Sequence, residues 1–396
     1  MGSTILERYP TLERHKNKLT SAEEAVSVIQ PGDHVFIGTA YATPLGLVQA
    51  LERIDPPVPE VQLYHFLTTG AVAHEEGMPQ THYPHHSFFI GSDVRAAAAL
   101  GIADYIPISL AQVPSLIENG RIPVDVALIQ VSLPDEYGYV SLGVSVDITS
   151  AAVHRARKIL AEINPLMPRT LGDTFVPMSR IDHFVPVETP VIEYLHPPAG
   201  PIAEPIARYI ASIIDDGSTL QIGIGRIPNE ALKYLVDRQD LGIHTDVLTD
   251  SIVPLIERGI ITGDQKSTHR GKIVASYCLG TRRLYNVIDR NPMFSFHPIE
   301  HVSDIHLISR QRRMVSVTQA FAVDLTGQIC ADQFQGQFYS GVSTQPEFIR
   351  GAASAPGGKP IISVSRISRR TARPPGSALS CLRERGSRSP GRMCIM

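Results

Sequence analysis

The carboxylate of Asp246, in the segment LGIHTDVLTD at 241–250, is the group in this chain on which two backbone-exposing loops could converge. It stands in a polar break, His244-Thr245-Asp246, just before an apolar segment at 247–261. A glycine turn, Gly223-Ile224-Gly225, lies upstream, and a second small-residue loop, Gly341-Val342-Ser343-Thr344, lies downstream. Glycines let a ligand approach the backbone, and amides near a helix start can face an anion or an oxyanion. Each feature also has a plainer reading. Asp246 could be an ordinary helix N-cap, and Gly223 and Gly225 could simply turn a strand into a helix.

Other reactive residue types read as structural. His74, His82, His85 and His86 surround Tyr83-Pro84 without a helical i, i+4 pair or a carboxylate partner. That pattern predicts a solvated loop and no metal site. Asp135 and Glu136 fit a turn. Cys278 and Cys330, in apolar surroundings, read as buried packing thiols. Together with Cys381 and Cys394 they have no metal-ligand spacing, and so few cysteines in 396 residues fit reduced, cytoplasmic thiols.

The elements that must position Asp246 follow an α/β pattern. Ser21 with Glu24 three residues on predicts a capped helix over 21–30, ended by Pro31-Gly32-Asp33. A strand at 34–38, a Gly38 loop, Pro44 and a helix at 45–51 follow. The near-continuous apolar run at 124–132 predicts a strand buried on both faces. A proline-rich stretch at 186–205 reads as a linker. The order of helix, turn, strand, glycine, proline and helix then recurs roughly 185 residues later, at 202–236, which suggests two related α/β halves. Further strands are predicted at 272–279, 315–317 and 360–364.

Bulk properties limit the partners. A chain of 396 residues suits two domains. With 43% hydrophobic residues, 19% charged residues and a formal charge of −3, no strong electrostatic bias points to nucleic acid. No apolar run approaches the ~20 residues that span a bilayer, and the N-terminus lacks a secretory pattern. The expectation is a cytoplasmic enzyme with no membrane partner.

From Ser365 onward the chain is arginine-rich and has no periodic apolar face. A disordered basic tail, a nucleic-acid arm and out-of-frame translation all fit. Shifting the frame at Met393-Cys394 permits Asp-Val-His-Tyr, a segment of the family that the motifs quoted next resemble, and that resemblance implies a frameshifted, truncated C-terminus after about Ser363.

Several long segments carry a resemblance. They include PVDVALIQVSLPDEYGYVSLGVSVD, NPLMPRTLGDTF, LQIGIGRIPNEAL, LGIHTDVLTDSIVPLIERGIITG, GKIVASYCLGTRRLY and GGKPII. In this order they resemble the acetyl-CoA hydrolase/transferase family, the class I CoA-transferase group that includes 4-hydroxybutyrate and acetate CoA-transferases. The resemblance implies two tandem CoA-transferase-like open α/β domains, the second incomplete: 1–190, 191–363, and an irregular basic tail at 364–396. It implies coenzyme A or acyl-CoA as substrate with no prosthetic group, a short-chain carboxylate as acceptor, and is compatible with a homodimer. A side-chain carboxylate of the family attacks the acyl-CoA thioester and goes on to an enzyme-bound CoA thioester. That nucleophile, a Glu in a His-Ser/Thr-Glu context, falls on Asp246. Family CoA contacts fall on Gly223, Ile224, Gly225, Arg226 and Ile227, on Gly341, Ser343 and Thr344, and on Lys359. Acyl-CoA hydrolysis and non-catalytic acyl-CoA binding are the alternatives. Three positions depart from the usual pattern: Asp246 is one methylene shorter, Ser303 stands for Asn, and Ser343-Thr344 stand for a double glycine. The combination of HTDV with YSGVSTQPEFIRGA resembles one branch of the family.

Overall fold

Two parallel sheets carry the chain in a computed structural model that describes residues 6–75, 78–324, 326–334, 336–364 and 394–395. The first sheet is built from β1 His34–Ile37, β2 Gln62–His65, β3 His85–Ser87, β4 Ala103–Tyr105, β5 Val126–Val131, β6 Lys158–Ile163 and β7 His183–Pro186. Their spatial order is β7-β6-β5-β1-β2-β3-β4, and every neighbouring pair is parallel. Parallel sheets are covered on both faces, so central strands lose the alternation of a half-exposed one. All six residues of β5 are buried, as its sequence predicts.

The second sheet contains β8 Thr219–Ile222, β9 Gly242–Ile243, β14 Met314–Ala320 and β15 Lys359–Val364, parallel and in the order β9-β8-β14-β15. Cys394–Ile395 pairs antiparallel with β15; the rest of the basic tail, and with it the frameshift reading, lies outside the described residues. Two further parallel pairs follow the β9 edge, to which a parallel bridge between His244 and Val274 joins one of them. β10 Val247–Leu248 pairs with β12 Tyr277–Cys278, and β11 Ile273–Ala275 pairs with β13 Phe294–Phe296. The single strand expected over 272–279 is therefore broken at Ser276. Ser276 donates its N–H to the Asp246 carbonyl (3.0 Å) and its hydroxyl to the His297 carbonyl (2.9 Å), and the chain changes partner strand there.

The internal repeat has a physical counterpart. Strands β1 and β8 begin 185 residues apart, and each ends in a glycine followed by a helix, α2 Leu45–Glu52 or α4 Arg226–Leu232. Gly38 donates to the Leu128 carbonyl at 2.7 Å and Gly223 to the Val317 carbonyl at 2.8 Å. A Cβ on either would lie 3.1 or 3.2 Å from that same oxygen. The two positions solve one problem, a chain leaving a central strand hard against its neighbour.

Helix α1, Ala22–Val26, has the expected capping box: the Ser21 hydroxyl accepts from the Glu24 amide at 3.1 Å, and the Glu24 carboxylate accepts from the Ser21 amide at 3.3 Å. It stops before residue 30 because the Asp33 carboxylate takes the Gln30 amide (2.9 Å), closing the turn. Helix α3, Ala203–Ser212, opens the second half. The linker before it has no helix or strand between 187 and 202. It is tied to the second half by Tyr194 N–H donating to Gly280 (2.8 Å) and the Tyr285 hydroxyl donating to Ile192 (2.8 Å).

One continuous apolar cluster runs from Leu12 to Ile361 across both halves. Phe66 of the first half meets Tyr277 of the second edge-on, with ring centroids 5.8 Å apart. Among the described residues no helix is long and apolar enough to cross a membrane.

The histidine expectation needs correction. His85 is fully buried in β3, with His65 Nε2 3.1 Å from its Nδ1, while His82 is exposed. A parallel sheet has no solvated face on which His85 could sit. The His74 side chain lies outside the described residues. Cys278 is buried as expected, whereas Cys330 is half-buried in a short ribbon with Ala322–Val323, where its thiol lies 3.3 Å from the Gln333 carbonyl. The apolar residues around Cys330 belong to a peripheral hairpin, so they do not enclose it. Asp135 does hold a turn, accepting from the amides of Tyr137 and Tyr139.

Candidate active site

Asp246 lies one residue before β10 and is 4% exposed. It caps no helix. Val247 and Leu248 extend to pair with β12, and a short 3-10 turn starts only at Asp250. The Asp246 carbonyl accepts from the amides of both Ser276 and Tyr277 at 3.0 Å, which fixes the backbone behind the carboxylate.

Its two oxygens face different elements. Oδ2 accepts from the Thr344 hydroxyl at 2.7 Å, and Oδ1 from Gln221 Nε2 at 3.3 Å. Gln221 comes from β8, where it is 1% exposed, and its own carbonyl oxygen accepts from the Ser316 hydroxyl of β14 at 2.6 Å. Burial pushes the Asp246 carboxyl above its ordinary range, while the Thr344 and Gln221 hydrogen bonds pull the other way. The result is a buried carboxylate held by protein donors, the backbone amides of Asp246 and Val247 among them, in place of water.

The two loops do converge. Gly223 to Ile227 leave the end of β8, and Ser340 to Thr344 lead into helix α5, Gln345–Ser354. Both touch the end of β14: the Ile227 amide donates to Gln319 Oε1 at 3.3 Å, and Gln345 Nε2 donates to the Thr318 hydroxyl at 2.8 Å. Gly225 has φ +158, and a Cβ there would sit 2.7 Å from Gln319 Oε1.

The second loop is held by the first half of the chain. Ser343, at φ +52, directs its carbonyl to the Leu110 amide (2.8 Å) and the Ser109 hydroxyl (3.3 Å). Ser109 also donates to Glu347 of α5 at 2.7 Å. Gly341 lies against Phe88 and Phe89, where a Cβ would meet the Phe88 carbonyl at 2.8 Å. Left-handed backbone at a non-glycine residue costs on the order of 1 kcal/mol or more, and here the two clamps hold it.

Lys359 is not brought to this place. It opens β15, and its ammonium is held at the N-terminal edge of the sheet by the Ile213 carbonyl and the Asp215 carboxylate, both at 2.6 Å. Gly223 leaves the opposite, C-terminal edge, since all these strands run parallel. His244, beside Asp246 in sequence, points away: its Nε2 donates to the Val302 carbonyl at 2.8 Å, and burial takes its pKa down to about 3. It is a neutral packing group, not a general base. Arg226 is exposed and lines a cleft of about 330 Å³ with Asn229, Lys233, Asp250, His196 and Arg283.

Sequence reasoning missed Gln221 and Ser316. The available signal was a polar residue inside a strand, TLQI, whose neighbours are apolar, because a buried amide needs partners.

Residues 4–195 match the family model for the acetyl-CoA hydrolase/transferase N-terminal domain, and residues 280–383 match that for its C-terminal domain. The chain belongs to the acetyl-CoA hydrolase/transferase family. Within this family it resembles a 4-hydroxybutyrate coenzyme A transferase of Clostridium kluyveri, 40% identical over 353 residues that cover 89% of this chain and 82% of that protein. A succinyl-CoA:cyclohexane-1-carboxylate CoA transferase of Geobacter metallireducens is 34% identical, with 90% of this chain and 81% of that protein covered. RipA from Yersinia pestis superposes with a TM-score of 0.83 at 31% identity, covering 90% of this chain and 83% of that one. The protein is thus an acetyl-CoA hydrolase/transferase family member, an enzyme of the CoA-transferase group, with the α/β fold of its relatives.

Thr344 is a direct handle on Asp246. Thr344→Val removes a hydrogen bond that lowers the carboxyl pKa, so that pKa rises further. For any reaction that needs the ionised carboxylate, the acid limb of the pH–rate profile is expected to move to higher pH and kcat/KM to fall by about tenfold. Thr344→Ser is expected to restore both. An unchanged acid limb in the valine variant would show that the hydroxyl does not govern Asp246.

Proposed function

We propose that the protein transfers CoA from a short-chain acyl-CoA to a carboxylic acid through a covalent Asp246 intermediate. The observation that carries this reading is the buried Asp246 carboxylate, bonded to Thr344 of the Gly341–Thr344 loop and to Gln221 of the strand that leads into the Gly223–Ile227 loop. Named relatives that transfer CoA to or from carboxylic acids support it.

Asp246 Oδ attacks the thioester carbon, the C–S bond breaks, and CoA leaves as a thiolate, giving an acyl–aspartyl anhydride. The thiolate attacks the aspartyl carbonyl carbon and the first carboxylate leaves, giving an Asp246–CoA thioester. The acceptor carboxylate then attacks that thioester and releases the thiolate. Finally the thiolate attacks the acceptor's acyl carbon and Asp246 leaves as carboxylate. Each anhydride lies above the thioesters on either side of it, but the reaction begins and ends with one thioester and one carboxylate, which favours ready reversal and ping-pong kinetics. No proton transfer is required, which agrees with a site beside which His244, two residues from Asp246, is neutral and turned away.

The Gly223 and Ile227 amides are spent on Val317 and Gln319, so oxyanion donors from this loop would be Ile224, Gly225 and Arg226. Arg226, Lys233 and Arg283 beside the cleft suit the phosphates of CoA, although Lys233 and Arg283 also pair with Glu230 and Glu257. Lys359, bound to Asp215, has no part in this arrangement.

Intact-protein mass measurement after incubation with acetyl-CoA alone tests the proposal. A gain equal to CoA less one water, mapped to Asp246, is the expected result. Steady thiol release without an acceptor would instead identify a hydrolase, and neither adduct nor thiol release would leave only acyl-CoA binding.

A further inference from the structure

Three histidines outside the acyl-transfer site stand close together. His269 lies in the loop before β11, His297 follows β13, and His301 belongs to the short helix Ile299–Val302. One ring nitrogen from each lies within 4.8 Å of the other two. Nε2 of His301 and Nε2 of His269 are 3.4 Å apart. A tetrahedral ion with metal–nitrogen bonds of about 2.0–2.1 Å has a nitrogen–nitrogen edge of roughly 3.3–3.4 Å. That pair is already spaced as two ligands, and the third nitrogen needs to close by no more than ~1.4 Å, within reach of a side-chain rotation.

The surroundings fit a cation. All three residues are half-buried. The His269 Nδ1 is buried without a hydrogen-bond partner, and its Nε2 meets His301 Nε2 in a single long contact of 3.4 Å that an ion could replace. The Ser295 hydroxyl lies 2.8 Å from His297 Nε2 and orients that ring. Asp173 and Asp304 act on the rings as negative charges. The opposing cation, Lys266, is drawn to the carbonyls of Ile243 and Lys272, both at 2.7 Å.

We propose that His269, His297 and His301 bind one first-row divalent transition metal ion, with zinc the best geometric match and a fourth position open to water. Imidazole nitrogen selects such ions over magnesium or calcium. The ion would join three segments that meet at the junction of the sheets. Ser276 bonds the His297 carbonyl at 2.9 Å and holds the Asp246 carbonyl at 3.0 Å, so the clamp lies one residue from the backbone that fixes the carboxylate.

The test uses full-length protein stripped with chelator and titrated with Co²⁺. One equivalent is expected to bind with visible d–d absorption of a four-coordinate site, and Zn²⁺ is expected to displace it and raise the melting temperature by several degrees. His269→Gln and His301→Gln are expected to lose both responses, while His82→Gln keeps them. Cu²⁺-loaded wild-type protein, read by nitrogen hyperfine coupling in EPR, decides the matter even where a variant fails to fold: coupling to several imidazoles supports the site. Folded wild-type protein with no d–d band and no imidazole coupling overturns the proposal, as does full Co²⁺ binding in both ligand variants. None of these readouts depends on the role of Asp246.

Discussion

Asp246→Asn is expected to lower turnover by on the order of 10⁴-fold or more while raising the melting temperature at pH 7. The loss follows from the chemistry: an amide cannot form the anhydride or carry CoA as a thioester. The gain in stability follows from burial. The folded-state carboxyl pKa lies above its ordinary 3.8, so the folded state holds this proton more tightly than the unfolded chain does. Stability from this group is therefore present in full below the unfolded pKa and is lost as pH rises through the folded pKa. At neutral pH the ionised side chain opposes folding, and the neutral isosteric amide does not: its oxygen can still accept from Thr344, while its NH2 requires the Gln221 amide to turn its oxygen toward it, with the Ser316 hydroxyl then accepting from Gln221. The melting-temperature difference between variant and wild type should shrink as pH falls toward the ordinary carboxylate range. Thermal melts of both proteins from pH 4 to 8, beside steady-state assays with acetyl-CoA and a short-chain acid, check both halves. An active Asn variant would remove Asp246 as nucleophile; a variant less stable at every pH would mean that its burial does not strain the fold.

Gly341→Ala is expected to cut kcat/KM by roughly a hundredfold with little change in secondary structure. A Cβ at this position would lie 2.8 Å from the Phe88 carbonyl, 3.0 Å from Phe89 Cδ2 and 3.2 Å from Phe89 Cα. Two of those three atoms are backbone at the end of β3 and cannot swing aside. The loop is also pinned on that side, because the Ile90 amide donates to the Ser340 carbonyl at 3.0 Å. The added methyl must therefore displace the loop, and Thr344, three residues on, moves with it. Misplacing a reacting group by about 1 Å costs on the order of a hundredfold. Gly200→Ala is the matched control, since nothing lies within 4 Å of its Cβ. Circular dichroism and kcat/KM for both variants check this, and wild-type activity in the Gly341 variant would sink the argument that the first half of the chain positions the second loop.

The capping box at Ser21 and Glu24, the buried strand at 126–131 and the paired strand–glycine–helix units were all legible in the chain, because each depends on residues within one short window. Apolar runs, turn residues and cap spacing act locally, and a parallel sheet converts them into the same elements in both halves. The family also was readable, from long motifs in order. What the sequence alone left open was whether Asp246 caps a helix or faces a site. Tertiary structure decides that, because Val247 and Leu248 find their partner strand in β12, about thirty residues away, and Thr344 reaches Asp246 across 98 positions. The same dependence on strand order puts Lys359 at the wrong edge of the sheet for the site, breaks the 272–279 segment at Ser276, and gathers His269 with His297 and His301. Local chemistry determined which elements form; the register and order of parallel strands, joined by long crossovers, determined which of their ends meet.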